Sequence, residues 1–117
     1  MFRFEELKIW KASIDIAERL FGIADELESK KLYKFAEQLR SAALSISNNI
    51  AEGSGSNSRK EFVRFLNIAM RSCYENANML IIFERRGYIK AQLKQDILSS
   101  LEDLCRMLSS FIKTLRS

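Results

Sequence analysis

Apolar residues recur along this chain at alternating spacings of three and four, in four separate runs. That period belongs to helices packed along one face, so four amphipathic helices are predicted. The first is expected from about Glu5 to about Glu28, with a core stripe of Leu7, Trp10, Ile14, Ala17, Phe21 and Ala24. A second stripe runs beside it: Ile9, Ile16, Leu20, Ile23 and Leu27. Together they cover more than half of the helix circumference. Such a wide arc on an outer helix suggests a second buried contact, which in a short chain means self-association. Deep burial between two other helices would produce the same arc.

A charged link, Glu28-Ser29-Lys30-Lys31, leads to a second helix expected from about Lys31 to about Gly53. Its stripe of Leu32, Ala36, Leu39, Ala43, Ile46 and Ile50 is rich in small residues, which let a neighbour come close and place this helix at the centre. Ser45, Asn49 and Glu52 lie beside the stripe. Gly53 is expected to end the helix in the left-handed conformation. The third helix starts at Ser58-Arg59-Lys60-Glu61, a capping box in which the hydroxyl accepts from the N3 amide and Glu61 reaches back. Phe62, Leu66, Ala69, Cys73, Ala77 and Leu80 carry its core face, and it ends near Arg85-Arg86-Gly87, with cations where the helix dipole favours them. The fourth is expected from about Lys90 to about Leu115. Its stripe is Leu93, Ile97, Leu101, Leu104, Leu108, Phe111 and Leu115, and Leu98, Cys105 and Ile112 add a line at heptad spacing. Four helices on short connections predict an all-α, antiparallel up-down-up-down bundle, one domain over residues 1–117.

Composition agrees with that pattern. The chain has 117 residues, 47% of them hydrophobic, with no proline and four glycines, so it has few break points. Histidine is absent, which removes the usual general base and the commonest metal ligand. Neither the paired Glu-x-x-His helices of di-iron bundles nor a Walker spacing can be written, so no metal, cofactor or catalytic set is expected. The Gly53-Ser54-Gly55-Ser56 loop is expected to be a plain hairpin. Glu61 is assigned to capping, and Glu52 and Glu75 to hydrogen bonds with neighbouring amides or Arg40. Cys73 and Cys105 fall on apolar helical positions and are expected as buried, reduced thiols. No signal peptide and no membrane-length apolar run are apparent, which predicts a cytoplasmic protein without a membrane partner.

The net charge of +4 matters because of where the cations fall. Lys60, Arg64, Asn67, Arg71, Asn78 and Arg85 share one face of the third helix, opposite its core stripe, and Arg86, Lys90 and Lys94 continue the charge past the turn. Cations flanked by amides suit nucleic-acid phosphates. An ordinary solvated helix face would also carry such a row. Repetition around a ring would multiply the potential.

Several motifs resemble a known family. They are Phe4-Glu5-Glu6-Leu7 with Ile9-Trp10-Lys11-Ala12, the run Gln38 to Ile46, Asn49-Ile50-Ala51-Glu52-Gly53, Glu61-Phe62 with Phe65-Leu66, Ala69 with Ser72 and Glu75, and Met107-Leu108. The chain resembles, over nearly its whole length, the four-helix bundle proteins encoded in intervening sequences of bacterial 23S rRNA genes. The resemblance implies a five-membered ring. It also implies kinship with the accessory variability protein of diversity-generating retroelements, a basic pentamer that binds nucleic acid and a reverse transcriptase. The family's signature residues fall on Arg40, Ser45, Asn49, Glu52, Ser72 and Glu75, taken as a buried polar network that fixes register.

The expectation is therefore a non-catalytic homo-oligomer, a pentamer, that binds RNA or DNA, RNA foremost, through Lys60, Arg64, Arg71, Arg85, Arg86, Lys90 and Lys94. The alternative is an oligomeric scaffold or adaptor for a protein partner, with the charge incidental.

Overall fold

A computed structural model describes all 117 residues. A 3-10 turn at Arg3–Glu6 precedes four helices: α1 (Lys8–Ser29), α2 (Tyr33–Ser54), α3 (Arg59–Arg85) and α4 (Ala91–Arg116). Helix α1 packs on α2, α2 on α3, α3 on α4, and α4 closes against α1. The result is a four-helix bundle of 45 × 23 × 20 Å. At 1.5 Å per residue, α3 alone is about 40 Å long and sets the long dimension.

The start of the chain differs from expectation. Leu7 is extended and α1 begins only at Lys8. The Glu5 carboxylate accepts from the Phe2 amide at 2.8 Å, and Phe4 packs against Trp10 at a ring separation of 5.1 Å. These contacts hold the first residues as a separate turn against the bundle.

Two helix ends share one solution. After α1, Leu32 donates its amide to the Leu27 carbonyl and Lys31 to Glu28; after α3, Tyr88 donates to Phe83 and Gly87 to Glu84. Both are Schellman ends, which satisfy orphan carbonyls and need a left-handed residue between the helices. Gly87 supplies it with φ +76°; Lys31 supplies it with φ +64°. At the second end Tyr88 packs on Phe83, with ring centroids 6.4 Å apart, the apolar contact that accompanies this motif.

Gly53 works differently from the sequence expectation. Helix α2 continues through it to Ser54, and its φ is not positive. A Cβ there would lie 2.8 Å from Phe62 Cδ1 and 2.8 Å from Phe65 Cβ. Gly53 is therefore the point where the start of α3 comes down against the end of α2. The capping box is half formed. Ser58 Oγ accepts from the Glu61 amide at 3.2 Å, whereas the Ser58 amide goes to Ser56 Oγ at 3.1 Å and not to Glu61.

The core is one contiguous cluster running from Ile9 to Ile112. Leu20, Leu27, Leu39, Ile46, Ile50, Leu66, Leu80, Ile97, Leu104 and Leu108 are among its fully buried members. On α1 the inward residues are Ile9, Ile16, Leu20, Ile23 and Leu27, joined by Ala17 and Ala24. The other stripe, Leu7, Trp10, Ile14 and Phe21, is only half-buried. On α4, Leu98, Cys105 and Phe111 are half-buried and Leu93 is exposed. Both outer helices thus keep apolar surface beyond what the bundle covers.

Candidate functional site

The outer face of α3 follows from helix geometry. Residues three and four apart stack along one side, so Lys60, Arg64, Asn67, Arg71, Asn78 and Arg85 form one exposed row. Tyr74 stands in the same row, between Arg71 and Asn78, and is 70% exposed. It was absent from the sequence expectation, although the spacing that picks out its neighbours passes through it.

The seven candidate cations are not equivalent. Arg64 is held by Glu61, its Nη2 donating at 2.6 Å and its Nε at 3.1 Å. Its guanidinium also lies 4.6 Å from the centroid of the Phe65 ring. The hydrogen bond raises the Arg64 pKa and holds the Glu61 carboxyl below its ordinary range. Lys94 is 3.3 Å from the Glu84 carboxylate, and its side chain is only 20% exposed. It ties the first turn of α4 to the last of α3. Lys60, Arg71, Arg85, Arg86 and Lys90 are exposed and belong to no ion pair. Arg86 lies 5.9 Å from the centroid of the Tyr88 ring, which orients it without neutralising it. Lys60 to Arg85 spans about 37 Å of helix, with Arg71 between them.

Two hollows flank this row. One, of about 620 Å³, is lined by Arg64, Asn67, Ile68, Met70, Arg71 and Tyr74. The other, of about 550 Å³, lies between α3 and α4, with Tyr74, Ala77, Ile81, Leu98 and Cys105 on its apolar walls and Asn78, Glu102 and Arg106 among its polar residues. Tyr74 belongs to both. Cys73 and Cys105, both free thiols, also line the second hollow. The neighbouring Cys105 thiol pushes the Cys73 thiol up, with burial adding to it, and Cys73 in turn draws Cys105 down.

The six residues expected as a polar network divide. Ser45 Oγ and Ser72 Oγ are 2.8 Å apart and link α2 to α3. Asn49 Nδ2 donates to the Ser45 carbonyl at 2.7 Å and to Ser45 Oγ at 3.1 Å. Arg40 instead turns to α1, donating to Asp25 at 2.8 Å and Glu28 at 2.9 Å, contacts that raise its pKa. Glu52 and Glu75 are exposed and take no part in the seam. Glu75 stands at the rim of the α2–α3 groove with Ser45 and Ala42, its carboxylate in no ion pair or hydrogen bond of the seam. The member missed by the sequence is Asn76, fully buried. Its Nδ2 donates to the Ala42 carbonyl at 2.9 Å and the Ser72 carbonyl at 2.7 Å, while Oδ1 has no partner. Its spacing, four residues after Ser72, was the available signal. The seam is thus Ser45, Asn49, Ser72 and Asn76, the polar part of an otherwise apolar contact.

No three His, Cys, Asp or Glu side chains gather as metal ligands, and no helix is long and apolar enough to cross a membrane. The Gly53–Ser56 segment is taken up by its own bonds: Ser54 Oγ donates to Ala51 at 2.7 Å, and the Ser54 carbonyl accepts from Arg3 at 3.3 Å.

Comparison with known proteins agrees with this architecture. A crystal structure of a protein of unknown function from the S23 ribosomal protein family of Bacteroides thetaiotaomicron is similar, with a TM-score of 0.85 and 26% identity over 90% of this chain and 98% of that one. No curated protein matches the chain. The model of the family described as 23S rRNA-intervening sequence protein matches residues 5–110. With a match that runs from the first turn into the last helix, the chain belongs to the 23S rRNA-intervening sequence protein family.

Proposed function

We propose that this chain is a non-catalytic homo-oligomer, a pentamer, that binds nucleic acid, RNA foremost, through the basic outer face of α3 and the α3–α4 turn. The observation that carries the proposal is the set of five exposed cations without ion partners, Lys60, Arg71, Arg85, Arg86 and Lys90, along one edge of the bundle. Free cations attract phosphate, whereas Arg64 and Lys94 are already engaged by carboxylates. The half-buried apolar residues of α1 and the exposed Leu93 of α4 support assembly, because a larger interface would cover them. Around a ring, the basic edge would repeat in each copy and deepen the potential.

The test is a titration of labelled structured RNA and duplex DNA at two salt concentrations, with light scattering to give the mass. Five phosphate contacts per site predict a log–log salt slope of about −3.5 on single strands and about −4.5 on duplex. Charge reversal at Lys60 and Arg71 lowers both affinity and slope and leaves the fold intact. Absence of binding at low salt sinks the proposal, and a monodisperse monomer at micromolar concentration removes the oligomer. The second function open to this surface is a scaffold for a protein partner, favoured by the apolar α3–α4 hollow with exposed Tyr74 and Ile81. Stoichiometric capture of a protein, without nucleic-acid affinity, would select it.

A further inference from the structure

The basic row of α3 holds one residue that phosphate binding does not explain. Tyr74 is 70% exposed, makes no aromatic pair within the chain, and stands one turn from Arg71 and one turn from Asn78. Of the other large aromatics of α3, Phe62 and Phe83 are buried in the core, and Phe65 is half-buried with the Arg64 guanidinium over its ring. Tyr74 is also the wall shared by the two hollows, with Arg64, Asn67 and Arg71 on one side and Ile81 and Leu98 on the other. A free ring face is therefore presented between a cationic pocket and an apolar one.

That juxtaposition fits one ligand class. A base pair inside a duplex has both faces covered by its neighbours, so a protruding tyrosine gains nothing from it. An unpaired base offers a free π-face, and stacking on an aromatic side chain is the sequence-tolerant way proteins hold single strands. Asn67 and Asn78 are exposed amides in the same row, each able to donate and accept along a base edge. Arg71 supplies positive charge one turn before the ring. Given the nucleic-acid proposal above, on which this rests, we infer that the α3 face takes unpaired nucleotides of a single-stranded segment, with a base stacked on Tyr74 and its phosphate held by Arg71. Charge complementarity chooses nucleic acid over an apolar peptide here: Lys60, Arg71 and Arg85 lie in the same row as the ring.

The experiment uses the full chain and a labelled oligouridylate longer than a site of roughly 4–16 nucleotides, with an abasic oligomer of equal length and a duplex as controls. Y74A, Y74F and R71E are compared by fluorescence anisotropy, with circular dichroism to check folding and light scattering to check mass. Tyr74 is exposed enough that all three are expected to fold. The expected result is that Y74A weakens the intact oligomer roughly 5- to 150-fold, the range of one lost base stack. Y74F binds like the parent, and Y74A and the parent bind the abasic oligomer alike. R71E weakens the intact and abasic oligomers and lowers the salt slope. Unchanged affinity in Y74A beside a loss in R71E overturns the stack but leaves phosphate binding standing. No binding by the parent protein to any probe overturns both. A lower mass in Y74A places the ring in a contact between copies and overturns the stack.

Discussion

Replacing Gly53 with alanine puts a methyl carbon 2.8 Å from Phe62 Cδ1 and 2.8 Å from Phe65 Cβ. Carbon atoms in contact prefer about 3.5–4.0 Å, so the gap is short by at least about 0.7 Å. The Phe62 ring is fully buried and packs edge-on against Phe111 at 5.5 Å, which limits its tilt. Phe65 Cβ is fixed to the backbone, so α3 itself must move away at its first turns. Overpacking of this kind costs about 1–3 kcal/mol. Against it, alanine in a helix gains about 0.5–1 kcal/mol over glycine. The net for G53A is a loss of about 1.5 kcal/mol, or roughly 6 °C in Tm at about 4 °C per kcal/mol for a chain of this size. Gly22 is the internal control. It lies inside α1, and a Cβ there meets nothing within 4 Å. G22A therefore keeps only the helix gain and raises Tm by about 2–4 °C. Both variants are melted against the parent at one protein concentration, because an oligomer's Tm depends on it. A G53A protein as stable as G22A would refute the close approach of α2 and α3.

At the α2–α3 seam, N76A is expected to cost on the order of 2 kcal/mol, through the cavity and two lost hydrogen bonds. N76D is expected to cost more at neutral pH, because a buried carboxylate would face the Ala42 and Ser72 carbonyls; burial raises its pKa, so the penalty shrinks as pH falls and the group protonates, as urea unfolding at two pH values would show. Cys105, half-buried with a lowered pKa, should react with iodoacetamide well before Cys73, whose thiol is buried and pushed up; mass spectrometry of the digested protein checks the order, and faster labelling of Cys73 would contradict the packing.

Much of the architecture is legible along the chain. Four runs of period 3.6, no proline, the Ser58 cap and the Gly87 stop define the helices to within a few residues. The basic row on α3 is equally legible, since helical geometry alone puts Lys60, Arg71 and Arg85 on one side. Family membership is legible too, in the motifs from Phe4 to Leu108. Each of these depends on neighbours within a turn or two, which the sequence orders directly.

Tertiary structure decided the rest. Two apolar stripes on α1 give an arc with no unique centre, and only packing against α2 and α4 turned Ile9, Ile16, Leu20, Ile23 and Leu27 inward. Gly53 looked like a helix end, but its lack of a side chain serves Phe62 and Phe65 on the next helix. Arg40 had candidate carboxylates on two sides, and the crossing of α1 over α2 chose Asp25 and Glu28. Asn76 is buried and bonded across the seam only because Ala42 of α2 comes to lie beside it. Lys94 loses its freedom to Glu84 only because the α3–α4 turn brings them together. The physical reason is common to all five. A helix's period sets which residues share a face, whereas the rotation of that face, and the partner that meets it, belong to how the helices pack.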